Sequence, residues 1–208
     1  MDLAELVLLA DRIGIVAFAI AGVAVGVRRR MDLFGLLAIG MLAAIGGGAV
    51  RDVLLGDLPR ALTRTDYLAF AAGAAVLAIV AAWLGWRWPD RLLALADAIG
   101  TGAFAVAGAL LAREAGLDWP AAVVLAILTA TGGAILRDVL ANRIPMAFRT
   151  DLNATAAGVG GLVAFFVAGE DEAVAAAAGA GLTAVLSLAG YAGLIRLPRM
   201  GPGANPSD

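Results

Sequence analysis

Two short stretches place charge inside otherwise apolar surroundings: Gly46-Gly47-Gly48-Ala49-Val50-Arg51-Asp52 and Thr131-Gly132-Gly133-Ala134-Ile135-Leu136-Arg137-Asp138. An arginine within an apolar helix can pair with a carboxylate, face water or reach to the interface. Asp11 and Asp97 each stand early in an apolar run of their own, which permits Asp11 to meet Arg51 and Asp97 to meet Arg137. Either pair alone reads as readily as a structural ion pair that locks two helices together. The glycines have two readings as well. Glycine is roughly 1 kcal/mol worse than alanine within a helix, so Gly46, Gly47, Gly48, Gly132 and Gly133 mark places where a helix can kink or open; alternatively, they let two helices pack through small residues. The hydroxyls of Thr101, Thr129 and Thr131 are possible oxygen ligands, or bond back to their own helix.

The composition excludes much else. Cysteine, histidine and lysine are absent, which removes disulfides, thiolate nucleophiles, imidazole acid-base catalysis, Schiff bases and His-ligated metals. The expectation is therefore a protein that is not an enzyme and carries no cofactor. Of the 208 residues 62% are hydrophobic and 15% charged, against about 25% charged in soluble proteins. This is the composition of a membrane protein.

Apolar runs bounded by charge or proline fall at about 5–27, 33–55, 66–86, 91–113, 120–141, 151–168 and 173–195. They predict seven transmembrane helices in an all-α membrane domain spanning 1–200, followed by a disordered tail over 201–208. The N-terminus is acidic and lacks the positive region of a secretory signal, so the first run is expected to remain as a span. Nine arginines (28, 29, 30, 87, 91, 143, 149, 196 and 199) fall on one side, against Arg60, Arg64 and Arg113 on the other. The positive-inside rule then puts the N-terminus outside and the C-terminus in the cytoplasm. Thr65-Asp66 and Thr150-Asp151 read as helix N-caps, Arg12 as an interfacial arginine, and Trp83, Trp86 and Trp88 as part of an aromatic belt.

A shift of 86 residues superposes one part of the chain on another. "DRIGIVAFAIAG" from Asp11 aligns with "DAIGTGAFAVAG" from Asp97, and the register holds through Gly46-Gly47 over Gly132-Gly133, Arg51-Asp52 over Arg137-Asp138 and Pro59 over Pro145. After one deleted residue, Arg64-Thr65-Asp66 matches Arg149-Thr150-Asp151. The repeats span 5–88 and 91–170, with the seventh helix at 173–195 outside them. Each holds three helices, an odd number, so the two copies are expected to enter the membrane from opposite sides about a pseudo-two-fold axis in its plane.

The duplicated unit with "GGGAVRD" and "TGGAILRD", followed by a seventh helix, resembles the prokaryotic trimeric intracellular cation (TRIC) channel family, whose domain is also labelled a glycine transporter domain. The resemblance covers about residues 5–195. It implies a homotrimer with one pore per protomer, lined chiefly by the first, second, fourth and fifth predicted helices and permeable to monovalent cations, mainly potassium. Carried over by position, helix kinks fall on Gly46, Gly47, Gly48, Gly132 and Gly133, and basic gate residues on Arg51 and Arg137. The implied location is a bacterial or archaeal inner membrane; the implied partners are potassium and sodium ions, membrane lipid and further copies of the chain, with no nucleic acid. The lysine-containing motif and basic tail of animal members are absent, so lipid regulation of their kind is not expected. Counting Asp11 and Asp52 against Arg51, and Asp97 and Asp138 against Arg137, gives each cluster a formal charge of -1, a sign that favours cations and predicts weak discrimination between potassium and sodium. The alternative is a carrier of a small zwitterion such as glycine, since inverted repeats suit alternating access equally well.

Overall fold

Acidic residues stand just before three of the apolar runs, and in the computed structural model, which describes residues 2–148 and 152–195, each caps a helix. Asp2 accepts from the Glu5 amide at 2.8 Å while Glu5 bonds back to the Asp2 amide, a capping box that starts α1 (Leu3–Arg28). Asp32 accepts from the Gly35 amide at 2.7 Å and starts α2 (Leu33–Leu54). α3 (Arg60–Thr63), α4 (Thr65–Trp83), α5 (Asp90–Glu114) and α6 (Trp119–Leu140) follow, then a 3-10 turn at Met146–Phe148 and α7 (Asn153–Val167). Asp171 caps α8 (Glu172–Tyr191) through the amides of Ala173 and Val174. α2 and α6 each run into a left-handed residue, Gly56 at φ 82° and Asn142 at φ 50°. The shift of 86 relates the two, and asparagine is among the few side chains that tolerate this conformation.

The seven apolar runs carry α1, α2, α4, α5, α6, α7 and α8. Among the described residues there are eight α-helices, because the four-residue α3, too short to leave a periodic signal, follows the Pro59 turn. Six helices are long and apolar enough to cross a membrane: α1, α2, α4, α5, α6 and α8. The 15 residues of α7 reach roughly 22 Å at about 1.5 Å per residue, short of a hydrocarbon core of roughly 30 Å.

α1 packs on α5 and α2 on α6 at the centre; α4 closes on α1 and α2, α7 closes on α5 and α6, and α8 lies against α5 and α7. The central contacts exchange under the shift of 86. The ring of Phe104 covers Gly14, the ring of Phe18 covers Gly100, and the two rings stack with centroids 5.4 Å apart. This is the contact pattern of a two-fold relation, in which residue i touches j and the copy of i touches the copy of j.

The glycines of α2 and α6 sit on the same relation. Both helices run unbroken through them, so the expected kink is not an interruption of helix here. A Cβ on Gly47 would lie 2.0 Å from the carbonyl oxygen of Thr129, and one on Gly133 would lie 2.0 Å from that of Ala43. Two helix backbones therefore touch directly, with glycine Cα hydrogens turned to carbonyl oxygens, a contact that recurs at close helix crossings. The close-packing reading accounts for Gly47 and Gly133.

Two smaller expectations also change. Arg64 precedes the first residue of α4 and no side chain caps that helix; Asp66 instead takes the Arg12 guanidinium at 2.9 Å and Arg64 at 3.2 Å. Arg12 lies 5.1 Å over the ring of Phe70, so it is held by a neighbouring helix and does not simply reach for the interface. Thr150-Asp151, Arg149, Arg196, Arg199 and the 201–208 tail lie outside the described residues. Trp83 and Trp86 stand exposed at the end of α4, whereas Trp88 is half-buried and its carbonyl accepts from Arg28 at 3.2 Å.

Candidate functional site

A buried ion costs several kcal/mol unless its partners are well placed. Arg51 is fully buried on α2, and three carboxylate bonds hold it: Nη1 and Nη2 donate to the two oxygens of Asp11 on α1 at 2.7 and 3.0 Å, and Nε donates to Asp52 at 3.0 Å. Tyr67 on α4 donates its hydroxyl to Asp11 at 2.7 Å, and Arg60 approaches the same carboxylate at 3.7 Å. Arg137 on α6 repeats the plan more loosely. Its Nη1 donates to Asp97 on α5 at 3.0 Å and its Nε to Asp138 at 2.9 Å. Asp97 also accepts from Asn153 at 2.9 Å and from Tyr191 at 2.7 Å, while Arg143 Nε donates to Asp138 at 2.9 Å.

Asp52 and Asp138 have a second task. The free oxygen of Asp52 accepts from the Arg60 amide at 2.8 Å, at the start of α3, and that of Asp138 accepts from the Met146 amide at 3.0 Å, at the start of the 3-10 turn. Each aspartate thus ties the loop beyond its helix to the ion pair before it.

The structure brings Asp11, Arg51 and Asp52 together, and likewise Asp97, Arg137 and Asp138. It adds five residues that the sequence did not single out for the site: Arg60, Arg143, Tyr67, Asn153 and Tyr191. The two arginines change the charge. With two aspartates and two arginines each, the clusters are formally neutral, not -1. Net negative vestibules therefore do not supply a preference for cations.

Each cluster forms one wall of a recess. The first is bounded by Asp11, Arg51, Asp52 and Tyr67 with Gly48 and Ala49 of α2, and ends on Phe104. The second is bounded by Asp97, Arg137, Asp138 and Asn153 with Ala134 and Ile135 of α6. Gly46, Gly47, Gly132 and Gly133 lie at the helix crossing, whereas Gly48 lines the first recess, where an added Cβ would meet nothing closer than Arg51 Nη2 at 3.7 Å. Thr101 and Thr131 line the second recess. Thr129 does not: its hydroxyl bonds the Leu125 carbonyl at 2.6 Å and packs against Gly108 in the core. Among the described residues no cluster of three or more acidic side chains could hold a divalent metal. What the site offers is two polar recesses, one on the far half of each crossing helix.

The family model described as "Glycine transporter" matches residues 8–83 and 94–169, one match per repeat. A UPF0126 membrane protein of Deinococcus radiodurans is 43% identical over 153 residues, covering 72% of this chain and 71% of that protein. The UPF0126 inner membrane protein YadS of Escherichia coli strain K12 is 36% identical over 193 residues, covering 90% and 93%. Among solved structures, one described as the structural basis for conductance through TRIC cation channels superposes with a TM-score of 0.85 at 34% identity, over 95% of this chain and 98% of that one. The TRIC trimeric intracellular cation channel orthologue from Rhodobacter sphaeroides superposes at 0.83 with 30% identity, over 91% and 98%.

Proposed function

The chain belongs to the TRIC cation channel family, with the family's domain present twice, and on that premise we propose that it is a monovalent cation channel, carrying mainly potassium with weak discrimination against sodium, and a homotrimer with one pathway in each protomer. The observation that carries this reading is the superposition on TRIC channel structures over nearly the whole chain. The two recesses are the two halves of the pathway, and the α2–α6 crossing with the Phe18–Phe104 stack separates them. Because both ion clusters are neutral, cation preference rests on local oxygen dipoles and not on net charge. Gly48, Arg51 and Asp52, with Ala134, Arg137 and Asp138 at the same register, line the route; Asp11 and Asp97 hold the arginines in place.

Purified protein in planar bilayers is expected to give unitary currents whose reversal potential follows the potassium gradient and moves little when sodium replaces potassium. The carrier reading has the description of the family model in its favour. Saturable glycine uptake without current steps would establish it and overturn the channel.

We place this protein in a bacterial or archaeal inner membrane, with the N-terminus outside and the C-terminus in the cytoplasm; we count seven spans because α7, though short, stands in the second repeat where α4 stands in the first. The chain has no cysteine, so single introduced thiols report cleanly. Glu170→Cys is the better outer probe, because the neighbouring Asp171 caps α8. An impermeant thiol reagent added to intact cells is expected to label Glu170→Cys and to leave Arg29→Cys unlabelled. The opposite pattern would invert the orientation and exchange the two recesses.

A further inference from the structure

The two recesses are built from the same positions of the two repeats, so each serves as a control for the other. At three of those positions the first recess has Ile15, Ile45 and Tyr67, where the second has Thr101, Thr131 and Asn153. The fold does not demand the two threonine hydroxyls, since its own first half has isoleucine at both positions.

The hydrogen-bonding groups of the first recess are committed. All three guanidinium nitrogens of Arg51 donate to carboxylates, and the Tyr67 hydroxyl donates to Asp11. In the second recess Asn153 is 6% exposed; its amide nitrogen serves Asp97 at 2.9 Å and lies 3.5 Å from the Tyr191 hydroxyl, while its Oδ1 is buried with no hydrogen-bond partner among the described residues. The carboxylate requires a donor on its side, which fixes the amide with its oxygen turned away from Asp97. Thr131 donates its only hydroxyl hydrogen to the Ile127 carbonyl at 2.7 Å, so it can offer the recess nothing but lone pairs. A buried carbonyl left without a partner is destabilising, and a bound ion or water is among the groups that satisfy one.

The spare capacity of Asn153 and Thr131 is thus acceptor oxygen, beside Arg137, whose Nη2 makes no hydrogen bond among the described residues. An anion there would meet those lone pairs and the carboxylates of Asp97 and Asp138. A divalent ion would need free carboxylates, whereas Arg137 and Arg143 already bind Asp97 and Asp138 and balance their charge. We propose that the second recess holds a monovalent cation, ligated by Asn153 Oδ1, Thr131 Oγ1 and the hydroxyl of Thr101 with water completing the shell, and that the first recess holds none. The recess leaves the centres of water-sized bodies about 10 Å³, about what a single ion or water needs. The inference rests on the channel reading for the route by which the ion arrives.

Crystals of the full chain grown with thallium(I) in place of potassium test it by anomalous diffraction. The expected result is a peak within ligand distance of Asn153 Oδ1 in the second recess and none in the first. Thr131→Val keeps the shape of the side chain and is expected to weaken the peak at least twofold; Asn153→Leu is expected to remove it, with wild-type elution on size exclusion confirming that both variants are assembled. Ordered water alone, equal peaks in both recesses, or an undiminished peak in the assembled Thr131→Val and Asn153→Leu proteins would each overturn the site. Thallium flux into vesicles separates this from the channel reading: a peak without flux sinks conduction and keeps the site, and flux without a peak does the reverse.

Discussion

Alanine at Gly47 or Gly133 is expected to prevent recovery of folded protein, with a loss of about 4 kcal/mol or more. Sterically driven losses of that size are uncommon and have identifiable causes. Here the cause is a methyl carbon placed 2.0 Å from the carbonyl oxygen of Thr129 or Ala43. Backbone cannot step aside as a side chain can, so α2 and α6 would have to part, and the central contacts of both repeats would part with them. Gly48→Ala is the control. Its Cβ would make only an ordinary contact with Arg51 Nη2 at 3.7 Å, the second repeat already carries Ala134 at that register, and alanine favours helix by about 1 kcal/mol. Size-exclusion profiles and thermal retention on all three variants check the contrast. If Gly47→Ala elutes and melts like wild type while Gly48→Ala does not, the glycines act through helix flexibility and the packing account fails.

Arg51→Ala is the second large effect. Removing one partner of a buried ion pair costs about 3–5 kcal/mol, because the remaining charge stays buried. Asp11 would keep only the Tyr67 hydroxyl and the distant Arg60, and Asp52 only the Arg60 amide. Arg137→Ala should cost less, since Asp97 retains Asn153 and Tyr191, and Asp138 retains Arg143. Adding Asp11→Asn to Arg51→Ala should recover about 2 kcal/mol relative to the sum of the single changes, within the usual range for residues in contact. Thermal retention of the assembled protein reads all of these. Additive single changes, or an Arg137→Ala protein less stable than Arg51→Ala, would dismiss the account of the two clusters.

The long helices were legible because charge and proline flank each apolar run, and the repeat because a shift of 86 carries Asp11, Arg51 and Asp52 onto Asp97, Arg137 and Asp138 together. The same shift could not find Arg60 or Arg143: it sets Met146 opposite the first and Asp57 opposite the second, so neither arginine has a like partner in the other copy. That omission produced the wrong charge for both clusters. Tyr67 and Asn153 occupy matching positions, but as unlike residue types, and the one-residue deletion used to align Arg64-Thr65-Asp66 moved them out of register. Tyr191 lies on a helix with no copy, and only the packing of α8 reveals its reach to Asp97. For Gly47 and Gly133, local propensity gives the same signal for a hinge as for a close crossing. The carbonyls that decide between them, on Thr129 and Ala43, are remote in sequence.

The exchanged contacts at the centre of the molecule have one more consequence. Gly47 against Thr129 and Gly133 against Ala43, like the two phenylalanine rings, form a self-complementary surface, the kind that two identical chains make across a symmetry axis. A single three-helix unit would meet its own copy through the same bonds, provided that the ribosome delivered it to the membrane both ways up. Joining the halves in one polypeptide removes the need for such dual insertion, because the first half's orientation dictates the second's. It also frees the halves to diverge. Tyrosine can close one side at position 67 while asparagine opens the other at 153, a division of labour that a strictly symmetric dimer of one gene product cannot make.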